Sequence, residues 1–277
     1  MVSWVKRILN LDRAGHSGTL DPQVTGVLPV MLGNATKIAN ALLTSGKEYV
    51  CVMRLHRPDT EENIRAAARE FVGTIYQRPP LRSSVKRRIR TRTIYYLDIL
   101  EIDGQNVLFR VGCQAGTYIR KLCSDLGKVL GGGAHMAELR RTRTGPFKED
   151  ASLATLHDVI DAYHFWKDEN DDQYLRQILR PLEDGVQHLP KIIIRDTAVD
   201  AICHGANLAV AGVLQVHDDI KIGDTVAITS LKGELVALAE ALMASRQILE
   251  ANSGIVANTS RVVLASGTYP SAWRRKP

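Results

Sequence analysis

The stretch GHSGTLDPQVTGVLPV, residues 15–30, sets one carboxylate, Asp21, among Gly, Ser, Thr and Pro and then runs into an apolar segment. A carboxylate in that setting has two uses. It can accept backbone hydrogen bonds in an Asx-turn, the reading that the Asp-Pro dipeptide alone favours. It can also act as a nucleophile or a base, provided the fold holds it against a substrate. Pro22 disfavours helical backbone at Asp21, and Gly15, Gly18 and Gly26 permit sharp turns, so the carboxylate is expected on an irregular loop. A phosphate cradle is not supported, because G-x-x-x-x-G-K-[ST] is absent and GNATK at Gly33 lacks the second glycine. Nor is chemistry by paired carboxylates, since nothing in the sequence fixes Asp12 beside Asp21.

Seven basic and no acidic residues occupy RPPLRSSVKRRIRTR, residues 78–92. A solvated face normally mixes signs, because like charges repel, so a run of this kind points to polyanion binding. Arg82, Lys86, Arg87, Arg88 and Arg90 are the expected phosphate contacts, and Pro79 and Pro80 stiffen the entry to them. LRRTR, residues 139–143, adds Arg140 and Arg141, and Arg120-Lys121 lies one helix earlier. Tyr49, Tyr76 and Tyr118 lie near these clusters, where a tyrosine serves either to stack on an unpaired base or to fill a half-buried core position.

These residues need elements to hold them. EYVCVMRLH, residues 48–56, places Tyr49, Cys51, Met53 and Leu55 on one face at period two and is predicted as a strand. TEENIRAAAREFVG opens on Thr60 and stops at Gly73, the signature of a helix. Two β-rich runs meet at Asp103-Gly104, a hairpin signal. Helical spacing returns with Ile119, Leu122, Cys123, Leu126 and Val129 and ends in three glycines, and Thr155 and Asp158 form a capping-box pattern. From Lys191 onward, short β-rich pieces separated by Gly or Asp predict a compact barrel or sandwich, with a linker near residues 183–190. The first helix, MVSWVKRILN, gathers Trp4, Val5, Ile8 and Leu9 on one face with no capping segment before it, so the chain is expected to start partway into a domain.

The 277 residues are ample for a main domain and a smaller one, and 45% apolar with 24% charged residues describes a globular chain with a filled core. Net charge +6 is a mild hint of a polyanionic partner. Cys51, Cys113, Cys123 and Cys203 form no C-x-x-C pair, so neither a zinc site nor a disulfide framework is expected, and the cysteines read as reduced core residues. No apolar run approaches a membrane span.

The residue 15–30 stretch closely resembles the catalytic motif of TruB-type pseudouridine synthases. The rest of the chain resembles the dyskerin-like branch of that family through GKEYV (46–50), QRPPLRSSVKRRIRTRTIY (77–95), AGTYIRKL (115–122) and GGGAHMAELRRTRTGPFKED (131–150), in the family's order. The resemblance implies an α+β fold: a pseudouridine synthase domain over residues 1–187 with a mixed, mainly antiparallel sheet, then a small PUA β-barrel and tail over 188–277. It implies Asp21 as the catalytic residue, with Tyr49, Tyr118, Arg120 and Leu139 around the base and His16 helping to hold the RNA. The family normally carries an earlier segment with a K-x-x-G-x-[TS]-S motif, and nothing in this sequence matches it.

The implied activity is RNA-guided isomerisation of uridine to pseudouridine in rRNA or tRNA, within a box H/ACA ribonucleoprotein. No cofactor and no metal are expected. The implied partners are a guide RNA, a substrate RNA, a small buttressing protein, a glycine/arginine-rich-type subunit and a kink-turn-binding protein, with no DNA and no membrane. Two other readings stand beside it, a stand-alone tRNA uridine-55 synthase and a non-catalytic RNA scaffold. Without long Lys-rich tails the chain looks more archaeal, hence cytoplasmic, than eukaryotic and nucleolar.

Overall fold

The computed structural model describes residues 1–79 and 88–271. They form two compact units that interleave in sequence: Met1–His16, Val30–Leu42 and the chain from Ala154 make the first, and Ser17–Pro29 with Leu43–Leu153 the second. The chain opens with α1 (Val2–Ile8), β1 (Ala14–His16), β2 (Thr25–Gly26), β3 (Val30–Leu32) and α2 (Ala39–Thr44). In α1 Val5 is buried, but Trp4 is 58% exposed, so the expected apolar face is only partly covered. β1 and β3 pair antiparallel, while β2 joins the large sheet of the second unit.

That sheet adds β4 (Lys47–Leu55), β5 (Gly73–Gln77), β6 (Arg90–Asp103), β7 (Asn106–Cys113), β8 (Ala134–Thr144) and β9 (Phe147–Lys148), with α3 (Glu61–Glu70) and α4 (Ile119–Val129) between strands. The order is β2-β8-β4-β7-β6-β5, with β9 on β8, and every pairing except the parallel β2–β8 is antiparallel. The mixed, mainly antiparallel sheet that the family resemblance implies is thus present. β4 lies at its centre and the period-two pattern sets its core face: Cys51, Met53 and Leu55 are buried against Phe109 and Val111 of β7.

Ile64, Ala67 and Ala68 of α3 and Ile119, Leu122, Cys123 and Leu126 of α4 complete this core. Fully burying a side chain of Leu or Phe size contributes roughly 1.5–3 kcal/mol. Thr60 caps α3 by accepting Asn63 N–H at 3.3 Å. Gly127 lets α4 lie against β8, since a Cβ there would sit 2.1 Å from Ala134 N. Inside this core the Cys51 and Cys123 sulfurs are 3.6 Å apart as free thiols, and their mutual hydrogen bond, with burial, drives the Cys51 thiol well above its usual range.

The first unit resumes with α5 (Leu156–Glu169), whose Thr155–Asp158 capping box forms as expected, and α6 (Gln173–Ile178). It ends in a six-stranded sheet of order β11-β15-β14-β13-β10-β12, built from β10 (Lys191–Ile194), β11 (Leu208–Ala209), β12 (Val213–Val216), β13 (Thr225–Thr229), β14 (Leu235–Ala241) and β15 (Ile255–Val262). The β-rich pieces read from the sequence supply β10 to β14, whereas the expected RVVLAS strand meets β15 only at Arg261–Val262, and β15 runs mainly through the preceding IVANTS. Two short helices, α7 (Asp196–Cys203) and α8 (Ser245–Glu250), were not expected among them; neither has a side-chain N-cap of the usual Ser, Thr, Asp or Asn type, and tertiary packing of Val199, Ile202 and Ile248 sustains them.

Candidate active site

Asp21 lies on the Ser17–Pro29 loop, which is fastened at several points. Ser17 N–H donates to Pro29 O at 3.4 Å, Val24 N–H to Asp21 O at 2.9 Å and Val27 N–H to Arg141 O at 2.8 Å. β2 pairs with Arg140 and Arg141 of β8 at close range. Gly26 has φ 102°, and a Cβ there would lie 2.1 Å from the Arg141 carbonyl oxygen, so both backbone angle and space demand glycine.

Arg141 is 2% exposed. Its Nε–H donates to Val27 O at 2.8 Å and its Nη2 to Gly18 O at 3.2 Å, so one guanidinium binds both limbs of the Asp21 loop. Arg141, expected from the sequence as an RNA contact, is enclosed in this structure and bonded to two loop carbonyls. Arg140 is exposed, but its Nε–H reaches both Glu149 carboxylate oxygens, at 2.9 and 2.8 Å, and Nη1 donates to Thr25 Oγ1 at 3.2 Å. The hydrogen bonds from Arg140 hold the Glu149 carboxyl below its usual range.

The loop delivers Asp21 to Arg120. An Asp21 carboxylate oxygen accepts from Arg120 Nη2 across 99 residues of chain, and the two side chains are 59% and 51% exposed. An ion pair this open contributes at most about 1 kcal/mol to stability and is accessible to a ligand. Arg120 stands in the first turn of α4, whose place is set by the buried Ile119, Leu122 and Cys123.

Tyr49 sits on β4 between Val111 of β7 and Arg141 of β8. Burial raises the Tyr49 phenol above its usual range; Cys113 and Asp21 act in the same direction, and Arg141 opposes them through charge and a hydrogen bond. Tyr49 is therefore a neutral hydroxyl at pH 7, within electrostatic reach of Asp21. Leu139 faces Cys51 in register across β4 and β8 and is half-buried against the core. Tyr118, also half-buried, is the N-cap residue of α4.

Of the remaining expected residues, His16 ends β1 opposite Val30, in the first unit. Arg90 opens β6 opposite Gln77, and Arg88 is exposed. Arg82, Lys86 and Arg87 lie outside the described residues.

Sequence reasoning missed Gln77 and Lys47. Gln77 binds the Tyr118 backbone at both its N–H and its C=O. Lys47, 6% exposed, donates from Nζ to Leu43 O at 2.9 Å and Ser45 O at 2.7 Å. Burial, reinforced by the Arg141 charge, lowers its pKa to about 8. Its sequence signal is its place two residues before Tyr49 in GKEYV.

Three family models match the chain: TruB family pseudouridylate synthase, N-terminal domain, over residues 6–119; tRNA pseudouridylate synthase B C-terminal domain over 120–187; and the PUA domain over 190–263. A probable tRNA pseudouridine synthase B of Methanopyrus kandleri is 61% identical over 276 residues, which are 100% of this chain and 81% of that protein. The protein of the same name in Thermococcus kodakarensis is 57% identical, covering 100% and 82%. Among solved structures, a Cbf5–Nop10–Gar1 complex contains a chain 55% identical with a TM-score of 0.94, over 97% of this chain and 82% of that one. An H/ACA ribonucleoprotein bound to a substrate RNA containing 2′-deoxyuridine contains one 52% identical with a TM-score of 0.92, over 98% and 83%. The chain belongs to the TruB family of pseudouridylate synthases, which are isomerases. Within the family it is of the dyskerin-like, archaeal type and carries a PUA domain.

Proposed function

We propose that the chain converts uridine to pseudouridine at RNA positions chosen by a guide RNA, as the catalytic subunit of an H/ACA ribonucleoprotein, with Asp21 as the catalytic carboxylate. The observation that carries the chemistry is the open Asp21–Arg120 ion pair on a fastened loop, in electrostatic reach of Tyr49. Guide dependence draws its support from the likeness to chains solved in H/ACA assemblies, one of them with substrate RNA.

The reaction breaks N1–C1′, turns the uracil, and joins C5 to C1′; the C5 proton is lost and N1 gains one, so product and substrate are isomers and no co-reactant is consumed. One carboxylate suffices, as nucleophile or as base, and the Arg120 guanidinium that donates to it fixes its orientation. The base must leave the RNA stack to reach Asp21. Tyr49 offers a neutral aromatic face against the detached uracil, and Tyr118 and Leu139 line its surroundings. His16, Arg88 and Arg90, with Arg82, Lys86 and Arg87, are assigned to the RNA backbone. The partners are the guide and substrate RNAs, a small buttressing protein, a glycine/arginine-rich-type subunit and a kink-turn-binding protein.

A stand-alone tRNA synthase is the second reading, favoured by the names of the curated relatives. Isomerisation measured on a bare tRNA stem-loop and on a guide-plus-target duplex separates the two. Efficient turnover on the stem-loop without guide would overturn guide dependence.

A further inference from the structure

Gln77 is the last residue of β5 and is 2% exposed. Its side-chain oxygen accepts Tyr118 N–H at 2.9 Å, and its Nε2–H donates to Tyr118 O at 3.2 Å. One planar amide thus closes on both backbone groups of one residue, 41 positions away in sequence. Tyr118 is the N-cap residue of α4, at φ −95° and ψ 103°, and its side chain makes no capping hydrogen bond. Its carbonyl also accepts Leu122 N–H at 3.0 Å, where the α4 ladder starts. The Tyr118 backbone therefore sets where its own ring is aimed and where α4 begins, and Arg120, which holds Asp21, is in that first turn.

The neighbouring strand is stitched to the same loop. Gln114 N–H donates to Thr93 O at 2.8 Å, and Thr93 N–H to Gln114 Oε1 at 3.2 Å. The Arg92 guanidinium lies over Gly116, with Nη2 3.1 Å from where a Cβ would be. Gln77 pairs in register with Arg90, so it also stands at the root of the basic sequence 78–89. Among the 20 residue types, glutamine supplies an acceptor and a donor in one rigid group at this reach; an ionised glutamate supplies acceptors alone and methionine supplies neither a donor nor a strong acceptor.

We infer that Gln77 is a positioning residue for the isomerisation, its side-chain amide fixing Tyr118 and the first turn of α4 relative to the Asp21–Arg120 pair. The inference rests on the assignment of Asp21 and Tyr118 to the reaction.

The test uses the full chain assembled with guide RNA and accessory proteins, and compares wild type, Gln77→Met, Gln77→Glu and Asp21→Asn by single-turnover rate, RNA affinity and thermal midpoint. Gln77→Met keeps the buried volume and removes both hydrogen bonds; its single-turnover rate is expected to fall about 10- to 100-fold, because small misplacements of reacting groups are costly. RNA affinity is expected to stay within about twofold of wild type, the pattern of an interaction that serves the chemical step rather than binding. Gln77→Glu is expected to be slow near about pH 8 and to recover relative to wild type toward about pH 5.5, because the protonated carboxyl regains an O–H donor.

A Gln77→Met rate within about twofold of wild type overturns the inference. So does a Gln77→Glu profile parallel to wild type at every pH. If Gln77→Met fails to assemble, the Gln77→Glu profile decides alone: recovery at low pH supports the inference and a parallel profile overturns it. An active Asp21→Asn overturns the site reading instead, whereas an inactive Asp21→Asn beside a normal Gln77→Met overturns only the role of Gln77.

Discussion

Arg141 and Val27 are joined by a hydrogen bond from Nε–H to the carbonyl oxygen at 2.8 Å, across 114 residues of chain. With the second bond, to Gly18 O, it makes one buried guanidinium the fastener of the Asp21 loop. A lysine carries a point charge and cannot reproduce the planar fork that serves two carbonyls at once. Arg141→Lys is expected to lower stability by about 1–3 kcal/mol, the cost of a buried acceptor left unpaired, and to lower isomerisation further than the unfolded fraction explains. Denaturant unfolding beside a single-turnover assay checks both.

Gly26→Ala attacks the same fastening from the other side. At φ 102° and with the Arg141 carbonyl 2.1 Å from the new Cβ, β2 has to withdraw from β8. Activity is expected to fall at least about tenfold through displacement of Asp21, while the α4 core, read by hydrogen exchange at Leu122 and Leu126, keeps its protection.

The Asp21–Arg120 pair predicts the opposite balance, because both groups are open to water. Arg120→Met is expected to change stability by less than about 1 kcal/mol and yet to slow isomerisation about 10- to 100-fold. Asp21→Asn is expected to abolish isomerisation with RNA binding kept. Thermal melts and RNA affinity measured beside the rates distinguish these outcomes from misfolding.

Lys47 predicts a pH effect of definite sign. Its pKa is about 8 in the folded chain against 10.5 for the free side chain, so between those values the unfolded state holds the proton more tightly. Stability from this group is therefore lowest below about pH 8 and rises with pH above it, with a limiting slope of about 1.4 kcal/mol per pH unit. Cys113 works in the opposite sense: burial raises its thiol from 9.0 to about 12, so its contribution is lost from pH 9 upward. The window from about pH 8 to 9 isolates the lysine. Unfolding free energies of wild type and Lys47→Met are expected to diverge in slope there, and parallel slopes would refute the shifted pKa.

Arg88 is exposed, Arg90 is half-buried at the start of β6, and the exposed Arg140 is paired with Glu149. Replacing Arg88 and Arg90 by Gln is expected to reduce the slope of log affinity against log salt by about 0.7–0.9 for each phosphate no longer neutralised. Arg140→Gln, whose partner is Glu149, is expected to leave that slope unchanged. Titration of RNA affinity between low and moderate salt measures each.

Several elements were readable because their signals are local. The period-two pattern of β4, the Thr60 cap of α3 and the capping box of α5 depend on residues within a turn or two of each other. Asp21 was different: its surroundings in sequence described a turn, and its place beside Arg120 followed from motif resemblance, since the two are 99 residues apart. Arg140 and Arg141 were indistinguishable in sequence, yet adjacent residues of a strand point to opposite faces, so one is enclosed and the other meets Glu149 outside. Gln77 and Lys47 stand inside the quoted segments 77–95 and 46–50, but their partners are backbone groups, which every residue carries, so sequence did not reveal their contacts.

The enclosure of Arg141 has an energetic consequence for RNA. Because the Asp21 loop is already tied to β8 in the free chain, its ordering entropy is settled when the protein folds and not when a substrate arrives. Binding free energy from the RNA backbone is then left for unstacking the target nucleotide. A nucleotide that is already unpaired needs less of it, so the rigid loop turns local RNA flexibility into a basis for choosing among uridines.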